Sequence, residues 1–159
     1  MSTVVLLPSA AGVTSEVTLL AARLHASALR VLVVDFPDGG AVARQQHALA
    51  ALADLPEGYV VVGFDEGSAV AESLACTRAP AAVVLLRGAV PLIDLGLLDW
   101  PQEVAAQVHR GPRDDVADVD DLCADVGEAV ELVDETMDDA LDDEVVRGLV
   151  VGFCTRFTR

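Results

Sequence analysis

The sequence predicts an α/β protein, a mainly parallel sheet of six strands with helices on both faces. Three observations carry that prediction. Six short apolar runs recur along the 159 residues, and most are continuous and valine-rich rather than alternating, as in strands buried on both faces. Between the runs, apolar residues fall at helical spacing. The links joining run to stripe are short, and no repeat or linker divides the chain, so residues 1–159 read as a single domain. Apolar residues make up 53%, and a chain near this size buries about 70% of its unfolded surface, enough for a full core.

The first strand is "TVVLLP" at 3–8. Val17, Leu20, Ala21, Leu24 and Ala28 then repeat at i, i+3, i+4, i+7 and i+11, with Thr14 or Ser15 available as N-cap. "RVLVVDF" at 30–36 is the second strand, and Val42, Gln45, Leu49 and Leu52 form a weaker stripe after it. "YVVVGF" at 59–64 runs through a tight turn into a helix bearing Val70, Ala71 and Leu74. "AAVVLLRG" at 81–88 is the fourth strand. The segment 88–102 after it shows no clear period and holds the sole tryptophan. "EVAAQVHR" at 103–110 is the fifth strand, followed by the stripe Val119, Leu122, Cys123 and Val126. "AVELVD" at 129–134 is the sixth, and Leu141, Val145, Leu149, Phe153 and Phe157 mark a long closing helix.

Composition excludes several functions. All ten basic residues are arginines, so Schiff-base chemistry on lysine is ruled out. A net charge of −16 is incompatible with phosphate-backbone binding, where affinity comes from basic side chains releasing counterions; nucleic acid is not an expected partner. Residues 114 to 144 carry fifteen Asp or Glu and no basic residue. "DDVADVDDLCAD" lacks the central glycine and closing glutamate of a calcium loop. It reads as a solvated acidic face, with weak nonspecific divalent binding as the alternative. Cys76, Cys123 and Cys154 are far apart with no CxxC pair, which fits reduced thiols rather than a disulfide framework or a zinc site. No metal and no cofactor is expected. No run approaches the roughly 18 apolar residues of a membrane span, since "PAAVVLLRGAVPLI" is broken by Arg87. No basic stretch precedes "VVLL", so a secretory signal is not expected and a cytoplasmic location is.

In an open parallel sheet, ligands bind beyond the carboxyl ends of the strands. The loops after Leu7, Phe64, Arg87 and His109 all emerge there. Gly63-Phe64-Asp65-Glu66-Gly67 has the spacing of a nucleophile elbow, a strand-to-helix reversal so tight that side chains two before and two after the central residue would collide. Gly63 and Gly67 meet that need, and Ser68 and Ala69 keep the helix start slim.

Over most of its length the chain resembles the dienelactone hydrolase family of the α/β-hydrolase fold. "VVLLPSAAGVTSEVTLLAARLHASALRVLVVDF" is similar to that family's opening strand, oxyanion loop, first helix and second strand. "VVVGFDEGSAVAESLA" is similar to its elbow and following helix. "QVHRGPRDD" resembles the strand end that delivers the triad acid, and "VVRGLVVGFCTRF" the terminal helix. The resemblance implies a three-layer α/β-hydrolase-like fold with strand order 2-1-3-4-5-6. It implies Asp65 at the nucleophile position, Asp114 at the triad-acid position, and an oxyanion hole made by the backbone N–H groups of Glu66 and Ala10. Ser9 and Gly12 belong to the same first loop, with Ser9 standing where the family carries a glutamate.

The departures bear on function. The family's nucleophile is cysteine or serine, not aspartate, and its histidine follows the last strand, where "DETMDDALDD" has none. His25 and His47 belong to helices on the sheet faces, and His109 precedes the acid within its own strand. Each reads as a surface or satisfied histidine, so a catalytic histidine is not found. Carboxylate nucleophiles do work in haloalkane dehalogenases and epoxide hydrolases, but there a histidine activates the water that cleaves the ester. A carboxylate pair, one acid and one base, is opposed by the different directions of adjacent elbow residues, with Glu66 expected to open the helix toward solvent. The structural alternative is that Asp65 caps the helix, a role aspartate fills well.

The expected function is that of a dienelactone hydrolase-like protein with a degenerate site. Two alternatives stand beside it: a binding or assembly module that kept the fold, and a hydrolase of ester or related bonds using Asp65 as nucleophile. Whether the protein is an enzyme stays open at this point. The candidate partners are a small-molecule ligand and, through Phe153 and Phe157 beside Arg156 and Arg159, a second copy of the chain. Burial of those phenylalanines against their own sheet is the competing expectation.

Overall fold

The computed structural model describes residues 2–36, 38–135 and 143–158. Six strands, β1 (Thr3–Leu7), β2 (Arg30–Val33), β3 (Val60–Phe64), β4 (Ala82–Leu86), β5 (Ala105–Arg110) and β6 (Val130–Asp134), form one sheet in the order β2-β1-β3-β4-β5-β6. Every neighbouring pair is parallel. The helices are α1 (Ser15–Ala26), α2 (Ala41–Ala51), α3 (Glu66–Arg78), α4 (Val116–Val126) and α5 (Glu144–Phe157).

Burial follows position in the sheet. All residues of β1, β3 and β4 are buried, which is why these runs are continuously apolar. The edge strands β2 and β6 are partly exposed and carry Arg30, Glu131 and Asp134. Val5, Leu7, Val61, Leu85 and Val108 point to one face and pack under α2, α3 and α4. Val4, Leu6, Val62, Phe64 and Leu86 point to the other and pack under α1 and α5.

The chain leaves β1 outward to β2 and then returns across β1 to β3. Connections therefore diverge at the carboxyl ends of β1 and β3, the switch point where such sheets open a crevice. Ser9 and Ala10 leave one side of it, Asp65 and Glu66 the other.

Several expected details shift. Ala28 lies beyond α1, in the left-handed region at φ 62. Val42 is exposed, and α2 touches the core through Ala48, with Leu52 just past its end. In α5, Val145 and Leu149 are exposed while Val150, Val151, Phe153 and Cys154 are buried; Leu141 lies outside the described residues. Phe153 is 1% exposed, and Phe157 packs against the same core cluster. Both phenylalanines thus pack against their own sheet, one of the two expectations, where α5 shares a core cluster with Phe64 and Leu86. Segment 88–102 is ordered by packing rather than period: Leu92 and Trp100 are buried, and the indole Nε1–H donates to the Val104 carbonyl at 2.7 Å. Among the described residues no helix is long and apolar enough to cross a membrane.

Candidate active site

The strand-to-helix turn is as tight as its glycines suggest. A Cβ on Gly63 would lie 2.5 Å from the Gly67 carbonyl oxygen, and one on Gly67 would strike the Leu7 carbonyl. The Ser68 hydroxyl sits between the carbonyls of Gly63 and Arg87, at 3.1 and 2.5 Å, joining the start of α3 to the end of β4.

At the apex, Asp65 has φ 49 and ψ −114, a conformation few non-glycine residues adopt. Its N–H donates to the Leu86 carbonyl at 3.0 Å, which holds the apex against β4. The side chain makes no cap hydrogen bond to α3. The expectation of an aspartate cap is therefore corrected, because the positive φ turns the carboxylate away from the helix axis. It meets the Arg87 guanidinium instead, with Nε on Oδ1 at 3.1 Å and Nη2 on Oδ2 at 3.3 Å.

Arg87 is itself at φ 64, and its side chain is only 13% exposed. Its Nη2 also donates to Glu16 Oε2 at 2.8 Å, so one guanidinium bridges two carboxylates. Burial works against its charge, but the hydrogen bonds and charges of Glu16 and Asp65 outweigh that and raise its pKa. The other Glu16 oxygen, Oε1, is buried with no hydrogen-bond partner among the described residues.

Glu66 does open α3 and is exposed, but its carboxylate turns back toward the chain. Oε2 accepts the backbone N–H of Ala10 at 3.0 Å. That bond is the largest cause of a lowered Glu66 pKa, followed by an opposing desolvation, with the residue's own N–H and Arg44 adding to the lowering. The turn presenting Ala10 is closed by Gly12 N–H donating to the Ser9 carbonyl at 3.0 Å, with Gly12 at φ 81.

Asp114 accepts the N–H of Gly88 at 3.0 Å and that of Gly111 at 2.8 Å. One carboxylate so ties the loop after β4 to the loop after β5, with each oxygen on a backbone amide. His109 is fully buried, with Nδ1 2.6 Å from Glu135 Oε1 and Nε2 2.8 Å from Gln107 Oε1. Gln107 Nε2 in turn donates to Glu131 Oε2 at 3.3 Å, so both ring nitrogens of His109 belong to a chain of polar contacts along β5 and β6. His25 and His47 are exposed on α1 and α2.

No protein-family model and no curated protein sequence matches the chain. Solved structures do. The mouse alpha/beta hydrolase domain-containing protein 10 superposes with a TM-score of 0.78 at 11% identity, over 97% of this chain and 88% of the other. The ydeN gene product from B. subtilis gives 0.73 at 14%, over 99% and 98%. P91, a dienelactone hydrolase-like promiscuous phosphotriesterase from metagenomic libraries, gives 0.71 at 18%, over 100% and 87%. The chain has the α/β-hydrolase fold.

Within that fold, two cavities flank the apex. One of about 610 Å³ lies toward α2, with walls from Val42, Ala69, Val70, Val90 and Leu95 and with Asp65, Glu66, Arg44 and Asp94 among its polar groups. The other, about 270 Å³, is polar and contains Ser9, Thr14, Glu16, Asp65, Arg87 and Asp114. Asp65 lines both, with 42% of its side chain exposed.

Sequence reasoning missed Arg87 and Glu16 at this site of the α/β-hydrolase fold, and Glu72 inside α3. Arg87 was visible as the charge that ends an apolar strand. Glu16 had no signal beyond its place in the first turn of α1. Glu72 is fully buried, with Oε1 accepting from Val90 N–H at 3.0 Å and Oε2 unpartnered among the described residues. Its pKa is pushed up to about 8, chiefly by burial; the Val90 bond opposes that and Asp125 adds to it. Helix α3 is buried on nearly all sides, so no polar stripe marks the acid as unusual.

Proposed function

We propose that this is a dienelactone hydrolase-like protein whose catalytic position has become a closed ion-pair network, leaving a small-molecule-binding protein rather than an acyl-transfer catalyst. The observation that carries this reading is the Arg87 guanidinium seated on both oxygens of Asp65. A nucleophile at this apex needs a base to activate it or to activate the water that releases its ester. Arginine supplies none, since it does not lose its proton in proteins. The chain's three histidines are committed elsewhere or exposed on helices. The Ala10 N–H, the donor that would polarise a substrate carbonyl, already holds the Glu66 carboxylate. The larger cavity, within the size range of ligand sites, supports the binding role. The resemblance of the chain and its superposition on P91 support the family assignment.

A second reading keeps Asp65 as a carboxylate nucleophile, favoured by its exposure to both cavities. One experiment separates the two. The protein is incubated in H₂¹⁸O with p-nitrophenyl esters, a phosphotriester and a primary alkyl halide, and the Asp65 peptide is then weighed by mass spectrometry. Turnover within about tenfold of buffer and an unlabelled peptide are expected. A burst of product with ¹⁸O in Asp65 would establish the enzyme instead.

A further inference from the structure

The larger cavity has a chemical signature of its own. Its walls are aliphatic, while its charged groups are Asp65, Glu66 and Asp94 against the single guanidinium of Arg44. Arg44 donates through Nη1 to the Gly39 carbonyl at 3.0 Å and lowers the Glu66 pKa through its charge, while its Nε is buried with no hydrogen-bond partner among the described residues. Arg87, behind Asp65, is shared with Glu16. The lining itself thus holds three carboxylates, Asp65 among them paired to Arg87, against one guanidinium.

The surroundings extend the same sign. Asp94, in the segment that walls the cavity, adds its charge to those of Asp115 and Asp121 which, after burial, raise the pKa of Asp118. No basic residue lies between 114 and 144, and the whole chain carries −16. A concave site with an excess of one sign of charge concentrates ligands of the other sign and speeds their arrival. An anion would meet Glu66, Asp65 and Asp94 at once, with the Ala10 N–H already taken.

We infer that this cavity binds a small organic cation, an ammonium carried on an apolar body. The body lies against Val42, Val70, Val90 and Leu95, and the ammonium between Asp94 and the carboxylates at the apex. The inference rests on the non-catalytic reading of the site, and it adds the ligand's charge and shape.

Isothermal titration with three matched probes tests it: phenethylammonium, 2-phenylethanol and 3-phenylpropionate, at about 20 and about 200 mM sodium chloride. At low salt the ammonium should bind at least about tenfold tighter than the alcohol, the carboxylate should give no heat, and the ammonium's advantage should shrink about threefold or more at high salt. Asp94→Asn should weaken the ammonium about threefold to fivefold and leave the alcohol unchanged. Asp121→Asn, on exposed α4 outside the cavity lining, should leave both within about twofold. Equal binding of alcohol and ammonium, no binding of any probe, or an equal loss from Asp121→Asn would overturn the inference. The reading beneath it fails in a different assay, by labelled Asp65 and turnover.

Discussion

The carboxylate of Glu66 reaches back from the first residue of α3 to the backbone N–H of Ala10, 3.0 Å away. Two loops that diverge at the switch point are thereby joined by a charge that belongs to the protein itself. A ligand's oxygen at this donor would have to displace an anion already stabilised by a helix N-terminus.

Glu66 should therefore contribute to acid stability. Its folded pKa lies below the ordinary 4.5, so its contribution is present above that value and is lost as pH falls through the lower one. Glu66→Gln should flatten the acid limb of a plot of unfolding free energy against pH. At neutral pH it should cost under about 1 kcal/mol, because the group is exposed. Urea unfolding at a series of pH values checks this.

Arg87→Leu should be more damaging. It leaves Asp65 and the largely buried Glu16, 18% exposed, side by side without their shared cation. A loss of about 2–3 kcal/mol in unfolding free energy is expected. Adding Glu16→Gln should recover part of it, so the double variant is less destabilised than the sum of the two single ones. Chemical denaturation of all three variants measures that coupling.

Glu72 acts in the opposite pH direction from Glu66. Its pKa rises from 4.5 to about 8 on folding. Stability is fully present below 4.5 and falls as pH climbs toward 8, by about 1.4 kcal/mol per pH unit at most. Glu72→Gln keeps an acceptor for Val90 N–H and should remove that slope. The parent and the variant should diverge between pH 5 and 8 and run parallel above about pH 9.

Gly67→Ala should fail in another way. The added methyl would meet the Leu7 carbonyl and lie 2.8 Å from that of Pro8. Both are backbone atoms of the strand end, and neither can move without opening the sheet. A loss beyond about 3 kcal/mol is expected, read as a lowered melting temperature or insoluble expression. Gly148→Ala on α5, where an added Cβ meets nothing, should fold normally.

Much of the scaffold was legible because burial writes itself into periodicity. Valine runs marked β1, β3 and β4, buried throughout, and the stripe Val119, Leu122 and Val126 marked the inner face of α4. Periodicity misled in α5, where exposed Val145 and Leu149 continue an apolar stripe on the solvent side. It was silent in 88–102, which is fixed by Leu92, Trp100 and a single indole hydrogen bond.

The sequence by itself determined the layers of this protein and the glycine turn. Each of these is a property of residue type and local spacing. Only the tertiary structure decided what became of Asp65. Glu16, Asp65 and Arg87 are separated by 49 and 22 residues in the chain, and no local pattern links them. They meet because β4 lies beside β3 and α1 starts at the same sheet edge. Positive φ at Asp65 and Arg87 then turns two side chains of opposite charge onto one another.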